Sequence, residues 1–274
     1  MKCAIATLVI GDRFLNPFNY SFRPGWEAYC RRHGLELVVL DSPLDTSPRG
    51  LARSPSWQKC IVHKSPRLAG FDRIAWLDAD IFISPTAPNV FDEVPPEKFG
   101  AVDDHATPSR EEHKFVTELA YEQWEAAGIP FYRSSGARDW YRLRKIECDY
   151  EGVVQGGVFV YSPALHGPLL EHVYNSYENL GEDTFNHEMA PLSYEMIKAG
   201  FVHWISPKFN MMWICYELLH FPFLTKPEMI PGRLPLVAKR KIVEYLRQPC
   251  VRTALRNNHF LHFSGGSRFF KYLA

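Results

Sequence analysis

Two aspartates, Asp78 and Asp80, close an apolar run, Arg73-Ile-Ala-Trp-Leu-Asp-Ala-Asp-Ile-Phe-Ile-Ser-Pro85. Side chains at i and i+2 of a strand point to one side, so this spacing puts both carboxylates on one face and turns Ala79 away. Beside Trp76, Leu77, Ile81 and Phe82, two unpaired carboxylates would be costly to bury. A divalent cation removes that cost. Mg²⁺ and Mn²⁺ take oxygen ligands, commonly one or two carboxylates together with the phosphates of a substrate. The pair is therefore expected to hold Mn²⁺ or Mg²⁺ and, through it, a diphosphate. The simpler alternative is a strand end whose aspartates cap the next turn. Placement after a buried-looking strand favours the metal, because α/β sheets bind ligands at the carboxyl ends of their strands.

Other residues invite the same scrutiny. His262 follows an apolar pair, Phe260-Leu261, as a core histidine does, but Ser-Gly-Gly follows it, and backbone N–H groups of such a stretch can approach phosphate. Gly156 and Gly157 interrupt an apolar strand, Gly152-Val-Val-Gln-Gly-Gly-Val-Phe-Val-Tyr161. Glycine weakens a strand, so the pair needs a reason: close approach of a ligand, or tight strand crossing. Lys59, near a helix start, is a candidate contact to nucleotide or phosphate, and a solvated surface lysine is the alternative. His187 and Glu188 precede a helix, and Asp103 and Asp104 end a short strand.

The elements that must carry these residues alternate. Residues 3–10 are continuously apolar, as in a strand buried on both faces. A helix near 22–33 follows, with Ser21 as candidate N-cap and Gly34 as stop, and then the strand Leu35–Leu40. Strand, helix and strand within about 40 residues form a βαβ unit, which argues for a parallel sheet. Residues 42–55 read as a loop, a helix runs from Ser56 to about Leu68, and the Asp78 strand follows. Residues 105–150 look like an insertion. Ser109-Arg-Glu-Glu112 is a capping box, Phe115, Leu119 and Trp124 form a helical stripe expected in the core, and the aromatic- and arginine-rich stretch 131–141 is a substrate lid or a surface loop.

With 274 residues, 46% of them hydrophobic and 23% charged, the chain is an ordinary globular protein. Lysine plus arginine equals aspartate plus glutamate, 31 each, so no global charge steers it to nucleic acid. Six scattered cysteines include no Cys-x-x-Cys, which speaks against a structural zinc site. The first residues lack the shape of a signal peptide and no run spans a membrane, so a cytoplasmic location is expected. Residues 239–256 carry six basic residues and one acidic, and peripheral contact with an anionic membrane is weighed there against a solvated face.

Together these residues resemble a GT-A-type nucleotide-sugar glycosyltransferase, nearest to glycosyltransferase family 8, over most of the chain outside 105–150 and 218–256. Trp76-Leu-Asp-Ala-Asp80 matches the family's D-x-D strand. Val154-Gln-Gly-Gly-Val-Phe-Val160 resembles its N-A-G-V strand, and His262-Phe-Ser-Gly-Gly-Ser-Arg268 its C-terminal H-Y-x-G-x-x-K motif. The resemblance implies an α/β fold, a single GT-A-like (Rossmann-like) domain with a mixed, mostly parallel sheet flanked by helices. Residues 1–104 would form the nucleotide half, 105–150 the insertion and 151–274 the acceptor half. It implies a metal held by Asp78, Asp80 and His262, a UDP-sugar donor and a carbohydrate acceptor. Thr7, Leu8 and Asp41 would line the nucleotide pocket. Gly265, Arg268 and Lys271 would serve the diphosphate, with Arg268 in the role of the family's lysine. Gln155 would bond donor-sugar hydroxyls. In the family's D-Q-x-x-L-N motif, Glu188 takes the Asp position and Met189 replaces the Gln. Glu188 is then expected as general base for direct, inverting displacement. Two other classes remain: a nucleotidyltransferase, to whose phosphate loop Gly11-Asp-Arg13 is a poor match, and an inactive sugar-binding module, against which the intact aspartate pair argues.

Overall fold

The computed structural model describes residues 1–178 and 188–264. Strand β1 (Cys3–Leu8) leads into a short helix α1 (Asp12–Pro17). A π-helical turn, Phe18–Phe22, then runs without a break into α2 (Arg23–His33). Ser21 lies inside that turn and caps nothing, so the expected cap is corrected. Gly34 closes α2 in the left-handed region at φ 66°, where glycine carries no Cβ penalty. Strand β2 (Glu36–Leu40) follows. The expected loop holds a short helix, α3 (Pro48–Ala52), capped by Ser47, whose hydroxyl accepts from the Gly50 N–H at 3.1 Å. The next helix is of the tighter 3₁₀ kind, Pro55–Lys64, with proline preset at its start.

Strands β3 (Arg73–Leu77), β4 (Ile81–Ile83) and β5 (Phe99–Asp103) come next. The insertion contributes α4 (Arg110–Ala126) and α5 (Ala137–Leu143). The capping box forms as expected, with the Ser109 hydroxyl accepting from the Glu112 N–H at 3.2 Å. The stripe is corrected: Phe115 is 58% exposed, and α4 buries Val116, Ala120 and Tyr121 instead. The remaining elements are β6 (Val154–Tyr161), α6 (Pro163–Ser176), α7 (Met189–Lys198), β7 (Val202–Trp204), β8 (Met211–Met212), α8 (Trp213–His220), α9 (Leu236–Asn257) and β9 (Phe260–His262).

Six strands form one sheet in the order β2-β1-β3-β6-β5-β7. Strands β2, β1 and β3 are parallel, β6 runs antiparallel between β3 and β5, and β5 pairs with β7 in parallel. The sheet is thus mixed and mostly parallel. Its layers are filled on one side by residues such as Trp57, Trp76, Phe99 and Phe159, and on the other by Phe18, Phe22, Trp26 and Tyr29. The apolar runs of β1 and β3 follow from this double burial.

Two pairings set up the site. Because β6 opposes β3, with Leu77 facing Val158, the start of β6 lies beside the end of β3. A second sheet, β4-β9-β8, pairs Ile81 with His262. The Phe263 N–H bonds the Asp80 carbonyl at 3.0 Å. A residue near the C-terminal end is therefore fixed against the turn that carries both aspartates.

Candidate active site

Strand β3 ends at Leu77, and Asp78, Ala79 and Asp80 form the turn into β4. The aspartates therefore do not share a strand face as their spacing suggests. They converge because the Asp78 N–H caps the ladder on the Gly157 carbonyl at 2.8 Å and the chain then swings toward β9. One Asp78 oxygen, Oδ1, accepts from the Trp76 indole N–H at 2.8 Å.

Lys59 enters this turn from the 3₁₀ helix and is buried rather than solvated. Its ammonium lies 3.1 Å from Asp78 Oδ1 and 2.8 Å from Glu188 Oε1, and donates to the Gly156 carbonyl at 3.0 Å. Burial opposes its charge, but Asp78 and Glu188 outweigh burial and raise its pKa. Glu188 sits at the start of α7 with its side chain 4% exposed. Burial would favour its neutral form, yet the Lys59 charge and a bond from Ser56 hold it below the usual carboxylate range.

His262 stands opposite. Its Nε2 is 3.2 Å from Asp80 Oδ1 and 3.8 Å from Asp78 Oδ2, and its Nδ1 is 3.0 Å from Asn210 Oδ1. Burial opposes a charged imidazole, and Asp80 more than offsets this, so its pKa is raised while that of Asp80 is lowered. Among the described residues no three His, Cys, Asp or Glu side chains close into a finished cage. The donor types nevertheless suit Mn²⁺ or Mg²⁺: one oxygen of each aspartate lies within 3.8 Å of His262 Nε2, and the other ring nitrogen is held by a neutral amide, as metal-bound histidines are held.

The glycine pair now has its reason. A Cβ on Gly157 would lie 2.4 Å from His262 Cε1, and one on Gly156 would meet Glu188 Oε1 and Met189 Cγ, each at 3.2 Å. The strand is stripped of side chains so that the site's own groups can lie on its backbone.

These groups floor a cavity of about 390 Å³ whose walls include Lys59, Asp78, Gln155, Glu188 and His262. Part of the wall comes from the insertion, with Tyr121, Phe131, Tyr132 and Trp140. Residues 131–141 thus face the site, with Tyr121 and Phe131 stacked at 4.9 Å. Asp104 lines this cavity too, and burial pushes its carboxyl up. Asp103 instead ties strands together, accepting from the Val153 and His105 N–H groups and from Arg110.

Thr7, Leu8 and Asp41 are at the ends of β1 and β2, as expected, but are not part of the cavity wall. Gln155 is at the wall with its carbonyl committed inward: Oε1 accepts from the Gly157 N–H at 2.6 Å and from Asn210, while Nε2 lies 3.4 Å from Met212 Sδ. His187, Gly265, Arg268 and Lys271 lie outside the described residues. Asn210, fully buried in the 3₁₀ turn Pro207–Asn210, bonds His262 and is missed by sequence reasoning. The signal was a polar residue between apolar neighbours, too common to single out.

No family model and no curated protein matches the chain. Solved structures do. A glycosyltransferase involved in the glycosylation of the major capsid of PBCV-1 aligns over 98% of this chain and 98% of its own, at 12% identity and a TM-score of 0.52. The WbbM bifunctional glycosyltransferase aligns over 99% of this chain and 49% of its own, at 10% identity and a TM-score of 0.51. The chain has a GT-A-type glycosyltransferase fold. No helix among its described residues is long and apolar enough to cross a membrane.

Proposed function

We propose that this protein is a metal-dependent glycosyltransferase, moving a sugar from a nucleoside-diphosphate donor, UDP-linked, to a hydroxyl of a carbohydrate acceptor in glycan assembly in the cytoplasm. The observation that carries this reading is the approach of His262 Nε2 to Asp80 and Asp78 beside the buried Lys59–Glu188 pair, with His262, Asp78, Lys59 and Glu188 lining a cavity in a fold of this kind. Asp78, Asp80 and His262 would hold Mn²⁺ or Mg²⁺, which when bound supplies charge stabilisation to a departing diphosphate.

The protein's own groups divide the remaining work. Lys59 adds a fixed positive charge beside Asp78, and its short contacts leave it little freedom to reorganise. Glu188, ion-paired, is a weak proton acceptor. Its negative charge is better suited to facing positive charge that develops on the donor sugar. Among the cavity carboxylates, Asp104 is pushed up by burial, so it takes the general-base role in this reading. Asp104→Asn is expected to lower kcat about 10²–10⁴-fold with donor binding unchanged, whereas Glu188→Gln weakens both. Equal donor affinity and equal rate in Asp104→Asn and wild type would return the role to Glu188.

The test of the whole reading is calorimetric titration of UDP, GDP and their sugars, with and without Mn²⁺, on wild type and Asp80→Ala. One nucleotide binding only with metal, and not to the variant, is expected. The variant should also lose transfer by about 10²–10³-fold or more. Metal-independent binding would leave sugar transfer standing and remove Asp78, Asp80 and His262 as ligands.

One partner is read from α9. Its buried residues, Val243, Cys250, Val251 and Ala254, face the protein. Lys241, Tyr245 and Arg252 lie on the opposite side, and Tyr245 is 82% exposed. Exposed Leu234, Leu236 and Val237 precede them. Among the described residues Arg240, Lys241 and Arg252 have no acidic partner. Cationic and apolar groups together suit an anionic lipid surface.

A further inference from the structure

We infer that Asn210 is a positioning residue that holds a proton on His262 Nδ1, so that Nε2, beside the two aspartates, is the ring nitrogen a cation would take. The inference rests on the metal-dependent reading above and adds a device to it.

The reasoning starts from a group with no ambiguity. The Gly157 backbone N–H is a donor under all conditions, and it lies 2.6 Å from Gln155 Oε1. That end of the Gln155 amide is therefore the oxygen. The Asn210 atom that meets the same oxygen must then be a donor, its NH₂ group. The other end of the Asn210 amide is thereby an acceptor, and it faces His262 Nδ1 at 3.0 Å. An acceptor there requires Nδ1–H. The remaining ring nitrogen, Nε2, points at Asp80 Oδ1 and Asp78 Oδ2. A backbone N–H on β6 thus dictates, through two amides, which imidazole nitrogen is left for coordination. Every link is buried, Asn210 fully and Gln155 and His262 nearly so. A Cβ on Gly157 would collide with His262 Cε1, with Nδ1 and with Gln155 Oε1, so the strand is also shaped around this chain of bonds.

Free imidazole does not choose this tautomer on its own account, and second-shell partners of metal-binding histidines are typically worth 10–100-fold in metal affinity. The experiment uses the full chain labelled with ¹⁵N-histidine, in excess Mg²⁺ at pH 8. Two-bond ¹H–¹⁵N spectra identify His262 by its loss in His262→Gln. In wild type the proton is expected on Nδ1. In Asn210→Leu and in Gln155→Leu, which break the relay on different elements, part of the signal moves to the form protonated at Nε2. Mn²⁺ binding, followed by the electron paramagnetic resonance of free Mn²⁺, weakens 10–100-fold. A wild-type Nδ1 without a proton overturns the inference, and this outcome needs no variant to fold. So do variants that fold, as judged by their thermal transitions, and bind Mn²⁺ as wild type does. If wild type keeps the Nδ1 proton yet binds no Mn²⁺, the positioning stands and the metal-dependent function falls.

Discussion

Lys59 is the residue whose loss should be felt most widely, because three partners depend on it. Lys59→Met would leave Glu188 buried with an uncompensated charge, and breaking a buried pair from one side typically costs about 3–5 kcal/mol. Denaturant unfolding should show a loss of that order, and Lys59→Met/Glu188→Met should recover part of it, since removing both partners is far cheaper than removing one. The acid limb carries the same signature. Glu188 has a folded pKa below its ordinary value of 4.5. Its contribution is therefore complete above that value and is lost as pH falls through the folded pKa. Stability of the wild type should decline more steeply below about pH 4.5 than that of the double variant, measured as unfolding free energy against pH.

At the scale of elements, the insertion adds aromatic faces, among them Tyr121, Phe131, Tyr132 and Trp140, to a cavity also lined by Lys59, Asp78 and Glu188. Phe131 stacks on Tyr121 there. Phe131→Ala is expected to raise the acceptor KM about tenfold, corresponding to about 1.4 kcal/mol, with the donor KM unchanged; initial-rate kinetics with each substrate varied separates the two. The elements themselves were largely legible in the sequence. Strands β1, β2, β3, β5 and β6 announce themselves as apolar runs between turn residues, and Gly34 and Ser109 mark helix ends by their own chemistry. Less legible was anything decided by tertiary packing. The Pro55–Lys64 segment has a helical pattern but winds as a 3₁₀ helix, and the inward stripe of α4 falls on Val116 and Ala120, with Phe115 outside. The site shows the same boundary. Asp78, Asp80 and His262 could be named from motif residues. The Lys59–Glu188 pair and the Asn210–His262 bond join segments far apart in the chain, and only the sheet order brings them together.

For the molecule as a whole, charge balance conceals a local asymmetry: the outward side of α9 is basic in a chain with no net charge. Sedimentation with vesicles should show binding to anionic lipid and little to neutral phosphatidylcholine, weakened by salt as screened contacts are. At about 1 kcal/mol per basic residue near such a surface, Arg240→Ala/Lys241→Ala should weaken it about 30-fold; equal binding to both vesicle types would exclude a lipid surface. A last consequence lies in the way the insertion leaves the sheet. It departs after β5 and returns at β6, and there the Asp104 N–H bonds the Val153 carbonyl at 2.8 Å while Asp103 Oδ1 accepts from the Val153 N–H at 3.1 Å. The two ends are already stitched together before a single residue of the intervening wall is counted. Topologically residues 105–152 are one long hairpin tip, which packs through α4 on α8 and through α5 on α7. Chimaeras that exchange this tip alone should inherit the donor chemistry of one parent and the acceptor choice of the other.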